Sequence, residues 1–177
     1  MKKIAVRGLI ALAAVILIVL VIASTKPDTF RVERSISINA PAEKIAPFIN
    51  DLHSWREWSP FEKLDPAMKR TLSGPTSGVG AVYEWEGNSN AGSGRMEIMD
   101  TLHSKITIKL DFLKPFEGHN IAEFTMVPEG NSTKVTWAMY GPNQFIGKVM
   151  TIFFSMDKML GREFESGLVT LKAIAEK

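Results

Sequence analysis

The sequence predicts an α+β fold, in which a curved antiparallel sheet of about seven strands wraps around a long C-terminal helix and an N-terminal transmembrane helix precedes them. Three observations carry this. Phe145, Val149, Ile152, Met156, Leu160, Phe164, Leu171 and Ile174 recur mostly at steps of three or four, which draws one stripe down a helix from Gln144 to Lys177. Most of the chain before it alternates with period two between turn signals. Gly8 to Ala23 carries no charge and is almost wholly Leu, Ile, Val and Ala.

Taken in order, Lys2, Lys3 and Arg7 flank the apolar run. A helix of about 20 such residues crosses the roughly 30 Å of bilayer hydrocarbon, with Arg7 snorkelling. The positive flank is expected to keep the N-terminus cytoplasmic and to place the C-terminal domain in the periplasm or outside the cell. The rival reading is a signal peptide cleaved after Ala23, which leaves a secreted domain. Val21-Ile22-Ala23 lacks the small-x-small pattern of such a site, and the run is long. Residues 1–23 are thus expected to be the anchor, residues 24–29 a linker with Pro27 and Asp28, and residues 30–177 one domain.

Phe30 to Ile38 alternates, with Val32, Arg34, Ile36 and Ile38 on the buried face. Asn39-Ala40-Pro41 starts a short helix, capped at Asn39 or Ala40, whose apolar face is Ile45, Phe48, Ile49 and Leu52. Trp55 and Trp58, three apart, either plug the core or cover a cavity mouth. Further strands are expected at Met68 to Leu72, Ala81 to Glu86, Arg95 to Leu102, Lys105 to Leu113, Asn120 to Val127 and Thr133 to Tyr140. Sequential hairpins imply antiparallel pairing, and only the terminal helix is long enough to cover the sheet.

Composition excludes several function classes. The apolar share of 45% and charged share of 23% are ordinary for a globular chain, and a net charge of +2 argues for neither nucleic acid nor acidic partners. With no cysteines there are no thiol nucleophiles or zinc–thiolate sites, and His53, His103 and His119 are too scattered for metal ligands. The turn from Ser73 to Gly80 lacks the lysine and following helix of a phosphate-binding loop. No cofactor is called for, and no acid–base pair or nucleophilic triad is evident.

A sheet that grips a helix leaves room for a cavity between them. Strand parity assigns its sheet-side lining to Trp58, Tyr83, Trp85, Met96, Ile108, Leu110, Phe112, Phe124, Trp137 and Met139, and the helix adds Phe145, Val149, Phe153 and Met156. Arg34, Arg70, Asp100 and Asn120 are the inward-facing polar residues: any two that pair are structural, and one left facing the void orients a ligand. Arg34 and Asp100 are the candidates for that role, and the rival reading of Arg34 is a position near the strand end paired with a carboxylate.

The sequence resembles the START-like, helix-grip superfamily, in the polyketide cyclase/dehydrase-like (SRPBCC) branch. The resemblance rests on Arg34-Ser35-Ile36-Ser37-Ile38-Asn39-Ala40-Pro41 with Glu43-Lys44-Ile45, on Trp55 to Phe61, and on Ser73-Gly74-Pro75 with Gly78-Val79-Gly80-Ala81 and Tyr83-Glu84-Trp85. Met159-Leu160-Gly161, Phe164-Glu165 and Gly167-Leu168 extend it to the end. It implies a hydrophobic cavity that takes lipids, polyketides or other apolar molecules. None of the catalytic residues of the cyclases matches position by position. The expected function is therefore a membrane-anchored domain that binds or carries an apolar small molecule or lipid. The alternatives are a cyclase-, dehydratase- or hydrolase-type enzyme on a hydrophobic substrate, or a non-catalytic interaction domain.

Overall fold

The computed structural model describes residues 2–102 and 104–177; the expectation for His103 lies outside the described residues. Helix α1 covers Lys2–Ser24 and is long and apolar enough to cross a membrane over Val6–Ser24. The Ser24 and Thr25 hydroxyls donate back to the Val21 and Ile22 carbonyls, at 2.7 and 2.8 Å, and close the helix.

Strand β1 (Thr29–Ile38) leads into helix α2 (Ala42–Asn50), the single turn α3 (Trp55–Trp58) and a 3-10 turn over Pro60–Lys63. Six strands follow: β2 (Lys69–Ser73), β3 (Val82–Glu86), β4 (Ser93–Asp100), β5 (Lys105–Lys114), β6 (Gly118–Glu129) and β7 (Ser132–Pro142). The sheet order is β1-β7-β6-β5-β4-β3-β2 and every pairing is antiparallel. The chain thus lays one edge, crosses by its short helices to the other, and meanders back until β7 pairs with β1.

Two local expectations are corrected. The cap of α2 is Pro41, not Asn39 or Ala40; the Asn39 amide instead donates to Glu176 Oε1 at 2.6 Å and ties the helix entry to the chain's end. The terminal helix is two helices, α4 (Phe145–Phe153) and α5 (Met156–Ala175). Phe154 is extended (φ −130°, ψ 134°), and the Ser155 hydroxyl accepts the Lys158 amide at 3.2 Å, capping α5. The apolar stripe ran unbroken across this join because the two residues outside the helices preserve its spacing. The gripped helix is therefore α5, 20 residues and about 30 Å long. Helix α4 leaves the sheet and packs on α1.

Strand register divides the interior into two halves. Thr29 pairs with Pro142, Phe112 with Gly118, Ser93 with Lys114 and Lys69 with Glu86, so these mark the end nearest α1. Ile38 with Thr133, Lys105 with Thr125, and Ser73 with Val82 mark the far end. The far half is filled by Ile38, Ile98, Ile106, Met126 and Val135 from the sheet, Ile45 and Ile49 from α2, and Leu171 and Ala175 from α5, all essentially without solvent contact.

Candidate functional site

The near half is hollow. It holds a cavity of about 240 Å³ bounded by Tyr83 and Trp85 of β3, Met96 of β4, Leu110 and Phe112 of β5, Ala122 of β6, Trp137 and Met139 of β7, and Leu160 and Phe164 of α5. Trp55, Ser59, Phe61, Glu62, Leu64 and Met68 close it from the α3 side, with Asn90 and Ala91 from the β3–β4 hairpin. Its walls are mostly aromatic. Trp137 stacks on Phe164 at 4.3 Å and on Phe124 at 5.1 Å, with Trp55, Trp58 and Phe61 edge-on around it.

The rings are held from behind. Trp55 and Trp58 donate their indole N–H groups to the Ile49 and Phe48 carbonyls, at 2.9 and 2.8 Å. Trp85 donates to the Ala91 carbonyl at 3.1 Å and lies across Gly94, where a Cβ would collide with its ring. Leu64 and Asn90 are exposed and form the rim. The two sides of that rim are strapped together, since Asp65 Oδ2 accepts the Asn88 amide at 2.8 Å.

One polar cluster stands in this apolar wall. Glu62 accepts the Tyr83 hydroxyl on one carboxylate oxygen and Arg70 Nε, at 2.7 Å, on the other. Arg70 also donates to the Met68 carbonyl at 2.5 Å. Burial, and then the Glu62 carboxylate, push the Tyr83 phenol well above its ordinary value. Burial works against the Arg70 charge, but Glu62 outweighs it and holds the guanidinium above its ordinary value. Among the described residues no group of three His, Asp or Glu side chains stands together as metal ligands.

Of the residues expected to line the cavity, Tyr83, Trp85, Met96, Leu110, Phe112, Trp137 and Met139 stand around it. The others stand elsewhere. Ile108 and Phe124 are buried behind the lining, because parity fixes the face of a strand but not the depth along it, and Trp58 is buried there on α3, which has no strand parity. Phe145, Val149 and Phe153 lie on α4, off the sheet, and Phe145 and Phe153 are exposed. Met156 starts α5 and borders a separate surface groove with Phe30 and Val32. Arg34 bonds Asp157 at 2.9 Å and Glu165 at 2.7 Å, so it ties β1 to α5 and faces no void. Asp100 accepts the Leu102 amide at 3.1 Å in the β4–β5 turn, and Asn120 is buried under Gly141.

The expected lining lacked the whole α3 side of the cavity, Trp55 and Ser59 to Met68 with Glu62 among them, and also Asn90 and Ala91, Ala122 of β6, and Leu160 and Phe164 of α5. Glu62 sits in a 3-10 turn with no periodicity to read. Ala122 did carry a signal: it is the one small side chain between Asn120 and Phe124 on the inward face of β6.

Sheet, gripped helix and the hollow between them together define a helix-grip protein. The chain belongs to the family described as "Polyketide cyclase / dehydrase and lipid transport", which it matches over residues 29–176. Similar solved structures include the Chromobacterium violaceum protein CV1439, at 15% identity and a TM-score of 0.58, with 86% of this chain and 99% of that one covered. A di-domain ARO/CYC protein, BexL, of the BE-7585A biosynthetic pathway is 14% identical with a TM-score of 0.61; the match covers 88% of this chain and 53% of BexL. A point mutant of norcoclaurine synthase from Thalictrum is 13% identical with a TM-score of 0.55, covering 82% and 96%. At these identities the likeness is one of fold. No curated protein sequence matches the chain.

Proposed function

We propose that this protein is a membrane-anchored binding domain that holds a small, largely apolar molecule in the near-half cavity. The observation that carries the reading is a 240 Å³ space walled by aromatic, Met and Leu side chains, with a part-buried polar cluster at its side. A cavity of about 150 Å³ takes benzene, so by proportion this one takes roughly ten non-hydrogen atoms. That fits a fused two-ring compound or a short stretch of acyl chain, and it is too small for a whole diacyl lipid. Tyr83 and Glu62 offer hydrogen bonds to one polar group on such a ligand. The α1 helix is read as the anchor, which keeps the cavity beside a reservoir of apolar molecules.

All four tryptophans line the cavity or pack on its lining, so their fluorescence reports occupancy. Naphthalene, titrated into the full chain in nanodiscs, is expected to quench them saturably. Ala122→Leu fills the space and is expected to weaken that binding at least about tenfold without loss of stability. Quenching that never saturates and is identical in both proteins would refute the binding reading.

A cyclase- or dehydratase-type activity is favoured by one feature, the phenol and carboxylate of Tyr83 and Glu62 bonded together at the cavity wall. Compounds extracted from wild-type protein and from Glu62→Gln decide between the two. A difference in mass between them indicates chemistry; the same compound in both indicates binding alone.

A further inference from the structure

We propose that helix α4 lies in the headgroup layer of the bilayer that α1 crosses, and so seats the hollow end of the domain on the membrane. This rests on reading α1 as an anchor. Phe145, Ile146, Met150, Phe153 and Phe154 are all between 44% and 64% exposed, on or just after a helix of nine residues. In water that is a sizeable unpartnered apolar surface. The single charge of α4, Lys148, is turned inward, buried, and paired with Asp28 of the linker. A helix that hides its one charge and presents its large apolar side chains is built for an apolar boundary, not for water.

Position names the partner. The chain between α1 and β1 is only Thr25 to Asp28, and about 3.5 Å per residue caps its reach near 14 Å. The reach is shorter in practice, because the Thr25 and Lys26 amides bond the Ile22 and Ala23 carbonyls at 3.2 and 3.1 Å. Asn143, just ahead of α4, bonds the same linker: its amide donates to the Asp28 carbonyl at 2.7 Å and its side chain to the Pro27 carbonyl at 3.2 Å. Helix α4 packs directly on α1, whose Ala23 is fully buried at that end. The exposed face of α4 is therefore continuous with the surface of the span where it leaves the hydrocarbon. Lys26 stands at the same level, suited to anionic headgroups, while Arg31 beside it is paired with Glu33 at 2.8 Å. The end of β5 and the turn after it, at this end of the sheet, add exposed Leu113 and Phe116. A ligand reaching the cavity from the bilayer would then meet the domain at its hollow end.

The chain has no cysteine, so single substitutions can be labelled cleanly. Ile146→Cys and Phe154→Cys probe α4, Val15→Cys probes the span, and Val79→Cys probes the β2–β3 loop at the far end. All four positions are exposed, so the core is untouched. The full chain, labelled with NBD, is placed in vesicles of phosphatidylcholine with a minor share of phosphatidylglycerol, then quenched by aqueous iodide or by spin-labelled lipid. The expected result is lipid quenching at positions 15, 146 and 154, with iodide quenching at 146 and 154 at least about fivefold weaker than at 79. Iodide quenching at 146 and 154 equal to that at 79, with 15 still quenched by lipid, overturns the proposal and leaves the anchor reading standing. Shielding of 146 and 154 from both quenchers overturns it in favour of a protein partner, such as a second copy. Absence of lipid quenching at position 15 overturns both.

Discussion

The two halves of the interior are built from one sheet and one helix, yet one is solid and the other hollow. In the far half the sheet meets two helices, α2 and the C-terminal turns of α5, and Ile45, Ile49, Phe124 and Leu171 have no solvent contact at all. In the near half α2 has ended. The sheet there faces the first turns of α5 and the segment from Ser59 to Met68, which supplies a 3-10 turn instead of a helix face. Small residues, Ala91 and Ala122, stand where larger ones would close the gap. The hollow persists because its aromatic walls are pinned from outside, by the indole hydrogen bonds and by the Gly94 seat of Trp85. A void is kept open by rigid walls, not by repulsion within it.

The sharpest test of this contrast is truncation. Leu171→Ala, in the solid half, is expected to cost about 3–4 kcal/mol. Met139→Ala, on the cavity wall, is expected to cost under about 2 kcal/mol, because it already lacks partners on one side. Urea unfolding of the full chain in mild detergent compares them, and equal losses would break the distinction. Next comes the boundary between the halves. A Cβ at Gly167 would lie 2.9 Å from both Pro60 Cδ and Trp137 Cζ3, rings with little freedom to move. Gly167→Ala is therefore expected to cost about 1–3 kcal/mol in the same assay, and a neutral result would show that α5 can lift off the cavity wall.

Acid sensitivity separates the edges from the core. The hydrogen bond from Arg34 is the main reason the Asp157 carboxyl sits below its ordinary value. Its folded-state value is lower than its unfolded one, so this stabilisation is present above about pH 4 and fades as pH falls through the folded value. Arg34→Met is expected to lower the melting temperature more at pH 7 than at about pH 2, where Arg34 keeps only its bonds to the Glu33 and Asp157 carbonyls. An equal gap at both pH values would assign the loss to packing and those backbone bonds, not to the carboxylates. The smallest effect is optical. Burial and then Glu62 raise the Tyr83 phenol, and burial and then Glu123 raise Tyr140. Raised values stabilise the fold below about pH 10 and cease to do so as pH climbs past them. Phenolate absorbance at pH 10.5 should therefore be well under that of the urea-unfolded chain, and equality would place both hydroxyls in water.

What could be read beforehand follows from periodicity. Alternation in β3 placed Tyr83 and Trp85 on the inner face, and the uncharged run from Gly8 to Ala23 announced a helix of spanning length. Alternation says nothing of position along the strand: Ile108 and Leu110 share a face, but only Leu110 borders the cavity. The join at Phe154 and Ser155 was masked by a stripe whose spacing continued through it, although Ser155 with Asp157 in the following turn is a helix-start signal. Glu62 came from an aperiodic turn, and its partnership with Arg70 and Tyr83 depends on tertiary contact alone.

Xenon under pressure tests the hollow most directly, since it enters dry apolar cavities and little else. Diffraction from pressurised crystals should show xenon among Trp85, Met96, Leu110, Phe112 and Trp137, and none among Ile45, Ile98, Met126 and Leu171. An empty near half, or xenon in the far half, would contradict the account.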